Sequence, residues 1–351
     1  MVVGQGTGVR EVITPLSHPE PFLSRNMKKF DVLTHLRSSR SGHVSGAALA
    51  AAMGVSRTAV WKHIKTLERE GYAIEAVPSK GYRLTASPDV IVAGEVMQGL
   101  GTRTIGKEVL HFAEVASTNT VAMDLAQKGA VDGTVVIAET QTGGKGRLGR
   151  SWSSPAGNLY VSVILRPSVP ISKAPLITLV GAVAVASGLR RQCGVPAGIK
   201  WPNDILLSGK KVSGLLTEMS AEPDRIRHIV LGIGVNVNMD GRALPPDIRR
   251  MATTLAAATG KPMDRTALLR TLLVELDLWY HRFLTGDTEV VAAWKELNVT
   301  LGHRVAVDGG SVKLEGLARG VDAEGRLILK LDDGTLRQVA AGDVTIMKGK
   351  T

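Results

Sequence analysis

From Phe30 onward the apolar positions recur with a helical period, with Phe30, Leu33 and Leu36 on one face. Leu49, Ala50 and Met53 mark the inward side of a second short helix. Gly54 then makes a tight turn, and Ser56 is placed to N-cap a third helix. Along that third helix Val60, Ile64 and Leu67 form the buried stripe. Arg57, Thr58, Trp61, Lys62 and Lys65 are left on the opposite side. Tyr72–Val77 and Gly81–Leu84 have strand character and are joined by Pro78-Ser79-Lys80-Gly81. Three helices and a hairpin in this order predict a winged helix-turn-helix over residues 27–86.

Ser87-Pro88 marks a linker over 85–95, and the pattern then alternates between strand and helix as far as residue 298. Strands are expected at Gly133–Glu139, Leu159–Leu165, Gly198–Trp201, Ile205–Leu207, Val212–Met219 and Ile229–Asn238, and helices at 118–129, 173–193, 265–285 and 288–297. In the long helix Leu269, Leu272, Leu276, Tyr280 and Phe283 keep a stripe that belongs to the core. Ser208-Gly209 is a hairpin turn, and strands joined directly in this way argue for a mixed sheet over 95–298, not a doubly wound parallel one. From Arg304 short β runs are broken by Asp308-Gly309, Glu324-Gly325 and Asp333-Gly334, which predicts a small barrel over 299–349. No run approaches the ~18 apolar residues of a membrane span, so no membrane partner is expected. The expected fold class is α+β multidomain: winged helix, mixed α+β domain, small barrel.

Composition changes this picture in three places. Residues 1–26 carry Gly, Pro and Ser without periodicity and lack an apolar stretch. They are expected to be a disordered tail and not a secretory signal, with Met27 as an alternative start. The net charge is +11, and residues 1–88 hold 12 basic against 6 acidic side chains, so about half of the excess sits in the first quarter of the chain. That balance favours nucleic acid or phosphorylated ligands. The single cysteine, Cys193, excludes an intramolecular disulfide and any Cys-cluster metal site, and it fits a reducing cytoplasm. The histidines show no zinc-ligand spacing.

Four segments carry candidate chemistry. Gln141 to Arg150, Q-T-G-G-K-G-R-L-G-R, combines glycines that let backbone N–H groups approach an anion with three cations, Lys145, Arg147 and Arg150. It lacks the P-loop spacing, and taken alone it is equally a solvated loop. Lys200-Trp201-Pro202-Asn203-Asp204 places a lysine at a strand end before a polar turn, although Pro, Asn and Asp are also ordinary turn formers. Gly232-Ile233-Gly234-Val235-Asn236 puts glycines inside an apolar strand, a weakness unless something approaches the backbone closely or the strand bulges. Ser117-Thr118-Asn119 precedes a helix and by itself is a plain N-cap.

Taken together and in order, S-T-N, Q-T-G-G-K-G-R-L-G-R-S-W, K-W-P-N-D, K-V-S-G-L-L and G-I-G-V-N-V resemble the biotin–protein ligases over roughly 95–298. The barrel after 304 is similar to that family's C-terminal, SH3-like domain. The winged helix with Val77 to Tyr82, V-P-S-K-G-Y, resembles the bifunctional branch that also represses biotin-synthesis genes. Where many members carry G-R-G-R this chain has Gly144-Lys145-Gly146-Arg147, which keeps the charge but loses a bidentate fork.

The resemblance implies a cytoplasmic enzyme with two substrates, biotin and ATP with Mg2+. Biotin is activated as biotinyl-5′-AMP and passed to a lysine of a biotin carboxyl carrier domain. It implies catalytic roles for Lys200 and Arg147. It implies biotin contacts from Ser117, Thr118, Asn119, Gln141, Lys145, Gly146, Arg147 and Lys200, and nucleotide contacts from Arg150, Trp152, Asn203, Lys211 and Asn236. Asp204 either orients Lys200 or helps hold magnesium; the sequence leaves both open. Arg57, Thr58, Trp61, Lys62, Lys65 and the wing residue Lys80 are the expected contacts to operator DNA, read by a homodimer. Three alternatives stand beside this reading: a biotin sensor without catalysis, a lipoate ligase, and a ligase whose winged helix serves another partner.

Overall fold

The computed structural model describes residues 31–37, 39, 42–286, 288–309 and 313–347. The expected tail over 1–26, Phe30 and the last residues of the expected barrel lie outside them. The chain forms two compact units, one ending at Pro88 and the other beginning at Asp89.

The first unit is the expected winged helix. Its helices are α1 (31–37), α2 (Gly46–Met53) and α3 (Arg57–Arg69), followed by the antiparallel hairpin of β1 (Ala73–Val77) and β2 (Gly81–Ala86). Ser45 Oγ caps α2 through the Ala48 N–H, Gly54 closes α2 in the left-handed region, and Ser56 Oγ caps α3 through the Ala59 N–H. Val60, Ile64 and Leu67 are at most 1% exposed, so the period read from the sequence is the packing period. Val44 pairs with Tyr82 as a short third strand. Gly81 permits that approach, since a Cβ there would lie 2.2 Å from the Val44 carbonyl oxygen.

The second unit is built on a seven-stranded mixed sheet in the order β3-β4-β5-β9-β8-β7-β6. Its strands are β3 (Val109–Val115), β4 (Val135–Gln141), β5 (Leu159–Leu165), β6 (Gly198–Lys200), β7 (Asp204–Leu207), β8 (Lys210–Ala221) and β9 (Ile226–Val235). Only β3 and β4 run parallel, and the crossover between them is α5 (Thr118–Gln127). All seven residues of β5 are buried, because both sheet faces are covered. Ala122 and Ala126 of α5 pack on Val136, Ile164 and Val230 on one face. The other face carries α6 (Leu176–Cys193), α9 (Arg265–Leu284) and α10 (Glu289–Leu297). Gly181 and Gly188 bring α6 close: a Cβ at Gly181 would meet Leu215 at 2.7 Å, and one at Gly188 would meet Leu272 at 2.7 Å.

Five short antiparallel strands, β10 (Arg304–Asp308), β11 (Lys313–Val321), β12 (Leu327–Lys330), β13 (Leu336–Val339) and β14 (Asp343–Ile346), follow. Their order β13-β12-β11-β10-β14 is a meander whose last strand returns beside the first, as in SH3-like barrels.

Several elements depart from expectation. The edge strand β3 and the short helices α4 (Ala93–Met97), α7 (Pro246–Met251) and α8 (Leu255–Thr259) had no clear period. Residues 89–95 of the expected linker over 85–95 are anchored: Ile91 N–H donates to Glu139, and Asp89 pairs with Arg265. The segment Ile171–Cys193 is in fact long and apolar enough to cross a membrane, contrary to the sequence reading. Its character has another cause, since twelve residues of α6 are buried under the sheet.

The Arg265 anchor makes one prediction. Arg265 is 2% exposed and its guanidinium meets Asp89, Glu139 and the Asn158 carbonyl. Burial alone would raise the Glu139 carboxyl, but His111, the Ile91 N–H and Arg265 hold it down at about 2. Folding therefore favours the charged form. The stabilisation is complete above the ordinary value of 4.5 and is lost as pH falls toward 2. Glu139→Gln should cost about 2 kcal/mol at neutral pH and flatten the acid limb of stability, measured by urea denaturation from pH 7 to pH 3.

Candidate active site

The cleft lies where α5, the glycine-rich loop and strands β8 and β9 converge, with about 480 Å³ of space including its open mouth. Its floor is a patch of sheet in which three positions, Gly214, Gly232 and Gly234, lack side chains. Gly214 and Gly234 are cross-strand partners, and Leu216 pairs with Gly232. A Cβ on Gly232 would lie 2.2 Å from Asn119 Oδ1, and one on Gly234 or Gly214 would lie 2.7 or 2.8 Å from the Trp152 ring. The glycines inside an apolar strand thus have their reason: Asn119 and Trp152 lie directly on the backbone.

Ten of the sequence-derived site residues line this cleft: Ser117, Thr118, Asn119, Gln141, Lys145, Gly146, Arg147, Trp152, Asn203 and Lys211. The α5 end is held by polar side chains. Gln141 Oε1 accepts from the Thr118 N–H at 2.8 Å, and Asn119 Nδ2 donates to Glu218 at 2.7 Å. Ser117, Thr118 and Asn119 are nearly buried, and Ser117 Oγ makes no capping bond to α5. The S-T-N segment is therefore more than an N-cap.

Cations gather at the other end. Lys211 Nζ lies 5.1 Å from the Trp152 ring centroid and 2.6 Å from Asp204 Oδ1, and Lys200 Nζ is 3.2 Å from Asp204 Oδ2. Asp204 thus holds two lysines, one on each oxygen. Arg147 donates to Asn203 Oδ1 and to the Gly342 carbonyl, both at 3.2 Å, and burial lowers its pKa from the ordinary value. The glycine-rich segment is a built structure and not simply a solvated loop: Lys145 bridges to Ser151, and Leu148 sits in the left-handed region at φ 55°.

Four candidates do not line the cleft, Asp204 among them. Lys200 is paired with Asp204. Arg150 is turned to Asp343 at 2.6 Å, a bond that raises its pKa. Asn236 Nδ2 donates to the Thr253 carbonyl. The sequence reading missed Tyr160 and Leu215 as lining residues, and it missed Glu218 as an anchor. Trp201, inside K-W-P-N-D, is 1% exposed and its indole N–H donates to Gly325 in the β11–β12 turn, so it is a structural joint. In the first unit, Arg57, Thr58, Trp61, Lys62, Lys65 and Lys80 are all exposed.

Comparison with known proteins is consistent along the whole chain. The HTH domain family matches residues 28–83, the biotin/lipoate A/B protein ligase family 111–236, and the biotin protein ligase C terminal domain 300–347. The bifunctional ligase/repressor BirA of Bacillus spizizenii is 38% identical over 324 residues, covering 92% of this chain and 99% of that protein. The protein of the same name from Escherichia coli is 30% identical over 304 residues, covering 86% and 92%. The biotin protein ligase from Aquifex aeolicus, solved in complex with biotin and ATP, superposes with a TM-score of 0.60 at 30% identity, over 69% of this chain and 100% of that one.

Proposed function

The chain belongs to the biotin protein ligase family, and from that premise we propose that it is an ATP-dependent biotin protein ligase that also represses transcription by binding operator DNA. The observation that carries the catalytic reading is the cleft itself. A polar pocket at the start of α5 opens toward a tryptophan laid on glycine backbone, with Lys145, Arg147 and Lys211 around it.

In the first step a carboxylate oxygen of biotin attacks the α-phosphate of ATP and pyrophosphate leaves, giving biotinyl-5′-AMP. Two anions must meet, so fixed cations are the main requirement. Lys200 and Lys211, tethered by one aspartate, are suited to the meeting point, and Arg147 and Lys145 to the loop above it. Ser117, Thr118, Asn119 and Gln141 would bind the ureido end of biotin, with Gly146 beside its carboxylate, and Trp152 would pack on adenine. Asn203 fixes Arg147, and Asn236 supports the nucleotide side through the Thr253 segment. Arg150 must leave Asp343 before it can reach a phosphate.

In the second step the ε-amine of a carrier-domain lysine attacks the acyl carbon and AMP leaves. Gly-rich backbone over the mixed anhydride would exclude water between the two steps.

Magnesium would arrive with ATP. Asp204 has an oxygen on each of two lysines, and an ion carried by ATP is held largely by phosphate oxygens and water. Asp204 would hold the ion only by giving up a lysine. The repressor reading rests on α3, and a palindromic operator would require two copies of the chain. A cytoplasmic setting fits the single cysteine.

The test offers radiolabelled biotin or lipoate, with ATP, to a biotin carboxyl carrier domain. Biotin should be transferred with formation of AMP and pyrophosphate. Transfer of lipoate would overturn the substrate. Biotin binding without any transfer would leave a sensor.

A further inference from the structure

A line of hydrogen bonds runs through the floor of the cleft from one end to the other. Ser162, on β5 and 0% exposed, holds its hydroxyl 2.6 Å from Asn119 Oδ1 and 2.8 Å from Thr118 Oγ1. The Thr118 N–H donates to Gln141 Oε1 at 2.8 Å. The other end of the same amide, Gln141 Nε2, donates to Ser154 Oγ at 2.8 Å, and Ser154 Oγ donates to the Trp152 carbonyl at 3.0 Å. From the Thr118 N–H through Gln141 to Ser154 and the Trp152 carbonyl the donors and acceptors alternate, so this stretch has a direction. Gln141 presents its oxygen to α5 and its nitrogen to Ser154, and rotating the amide would break the Thr118 bond and turn the Ser154 hydroxyl away from the Trp152 carbonyl.

Ser154 is the joint. It is 8% exposed and is not among the residues lining the cleft. It lies between Gln141 and Trp152, and Gly144 closes over it, since a Cβ at Gly144 would lie 2.4 Å from the Trp152 carbonyl oxygen and 2.6 Å from Ser154 Oγ. The Trp152 N–H in turn donates to the Gly144 carbonyl at 2.8 Å. One hydroxyl therefore joins the amide that grips α5 to the backbone of Trp152, beside a main-chain bond from the Gln141 N–H to the Ser154 carbonyl at 3.3 Å.

We propose that Ser154 is a positioning residue that couples the pocket at the start of α5 to Trp152, so that biotin settling against Gln141 sets the ring for the nucleotide. The proposal rests on reading the cleft as the biotin and ATP site. A ligand that takes up Thr118, Asn119 or Gln141 restrains the amide, and Ser154 passes that restraint to the Trp152 backbone. Packed, fully bonded polar chains carry such restraint because a half-made bond in the interior is costly.

The test uses the full chain and Ser154→Ala. Biotin affinity by calorimetry should stay within about twofold, while the KM for ATP in biotin-dependent ATP–pyrophosphate exchange rises about tenfold, the effect of one lost hydrogen bond. Biotin alone should change the Trp152 fluorescence of the wild type, assigned by difference against Trp152→Phe, and that change should vanish in Ser154→Ala. Ser154→Cys, nearly the same size but a weak hydrogen-bonding group, should behave like alanine and guards against a packing defect. An active wild type with unchanged KM and unchanged fluorescence response in both variants overturns the coupling alone. A wild type without exchange overturns the proposed function.

Discussion

Replacing Lys200 with alanine is expected to cut biotinyl-adenylate formation by about 10²–10³-fold, the usual cost of losing one preorganised electrostatic group. The side chain ends β6 and reaches Asp204 across the β6–β7 turn, with its ammonium 3.2 Å from Oδ2. The strand under it is secured independently, by the Val299 N–H on the Ile199 carbonyl and by the Trp201 N–H on Thr300. The fold should therefore survive the substitution, and Asp204 keeps Lys211. Biotin-dependent ATP–pyrophosphate exchange reads the step directly. Near-normal exchange in Lys200→Ala would remove Lys200 from catalysis. A loss confined to Lys211→Ala would pass its role to Lys211, which lines the cleft.

The winged helix was readable because its signals are local. Val60, Ile64 and Leu67 repeat at helical spacing, Ser56 caps the turn before them, and Gly54 ends the helix behind. The platform glycines were half-readable. Gly232 and Gly234 announced that something approaches the strand, but no local rule says that it is Asn119 on one and Trp152 on the other. What stayed hidden depends on pairings far apart in sequence. Arg265 looks like an ordinary first-turn residue of α9, yet it is buried on Asp89 and Glu139, which only the fold brings to it. Arg147 meets the Gly342 carbonyl and Arg150 meets Asp343, so the last strand of the chain holds the glycine-rich loop. The edge strand β3 escaped because its residues are half-buried or exposed and give no clean alternation.

Specific binding to the region upstream of biotin-synthesis genes should fall at least about 10²-fold when Arg57 and Lys62 are both changed to alanine, since each good base contact contributes about 1–3 kcal/mol of discrimination. The placement of the side chains supports this. The apolar stripe of α3 is packed inward, so Arg57, Thr58, Trp61, Lys62 and Lys65 stand together on the exposed side, with Trp61 50% exposed. An exposed tryptophan among cations on a helix is a poor solvated face and a good contact face. Lys65 is paired with Glu68 at 2.7 Å, so part of its charge is already answered. Lys80 sits at the tip of the wing, between Ser79 at φ 68° and Gly81 at φ 105°, on a turn whose shape the backbone dictates. A wing lysine touches phosphate and not bases. Lys80→Ala should therefore weaken all sequences alike and reduce the slope of log affinity against log salt by about 0.9. Titrations at several salt concentrations, with specific and scrambled duplexes, separate the two behaviours. A double variant that loses scrambled and specific DNA equally would make α3 a phosphate-binding surface. Failure of the wild type to prefer the specific duplex, with biotin and ATP both present, would give the winged helix some other partner.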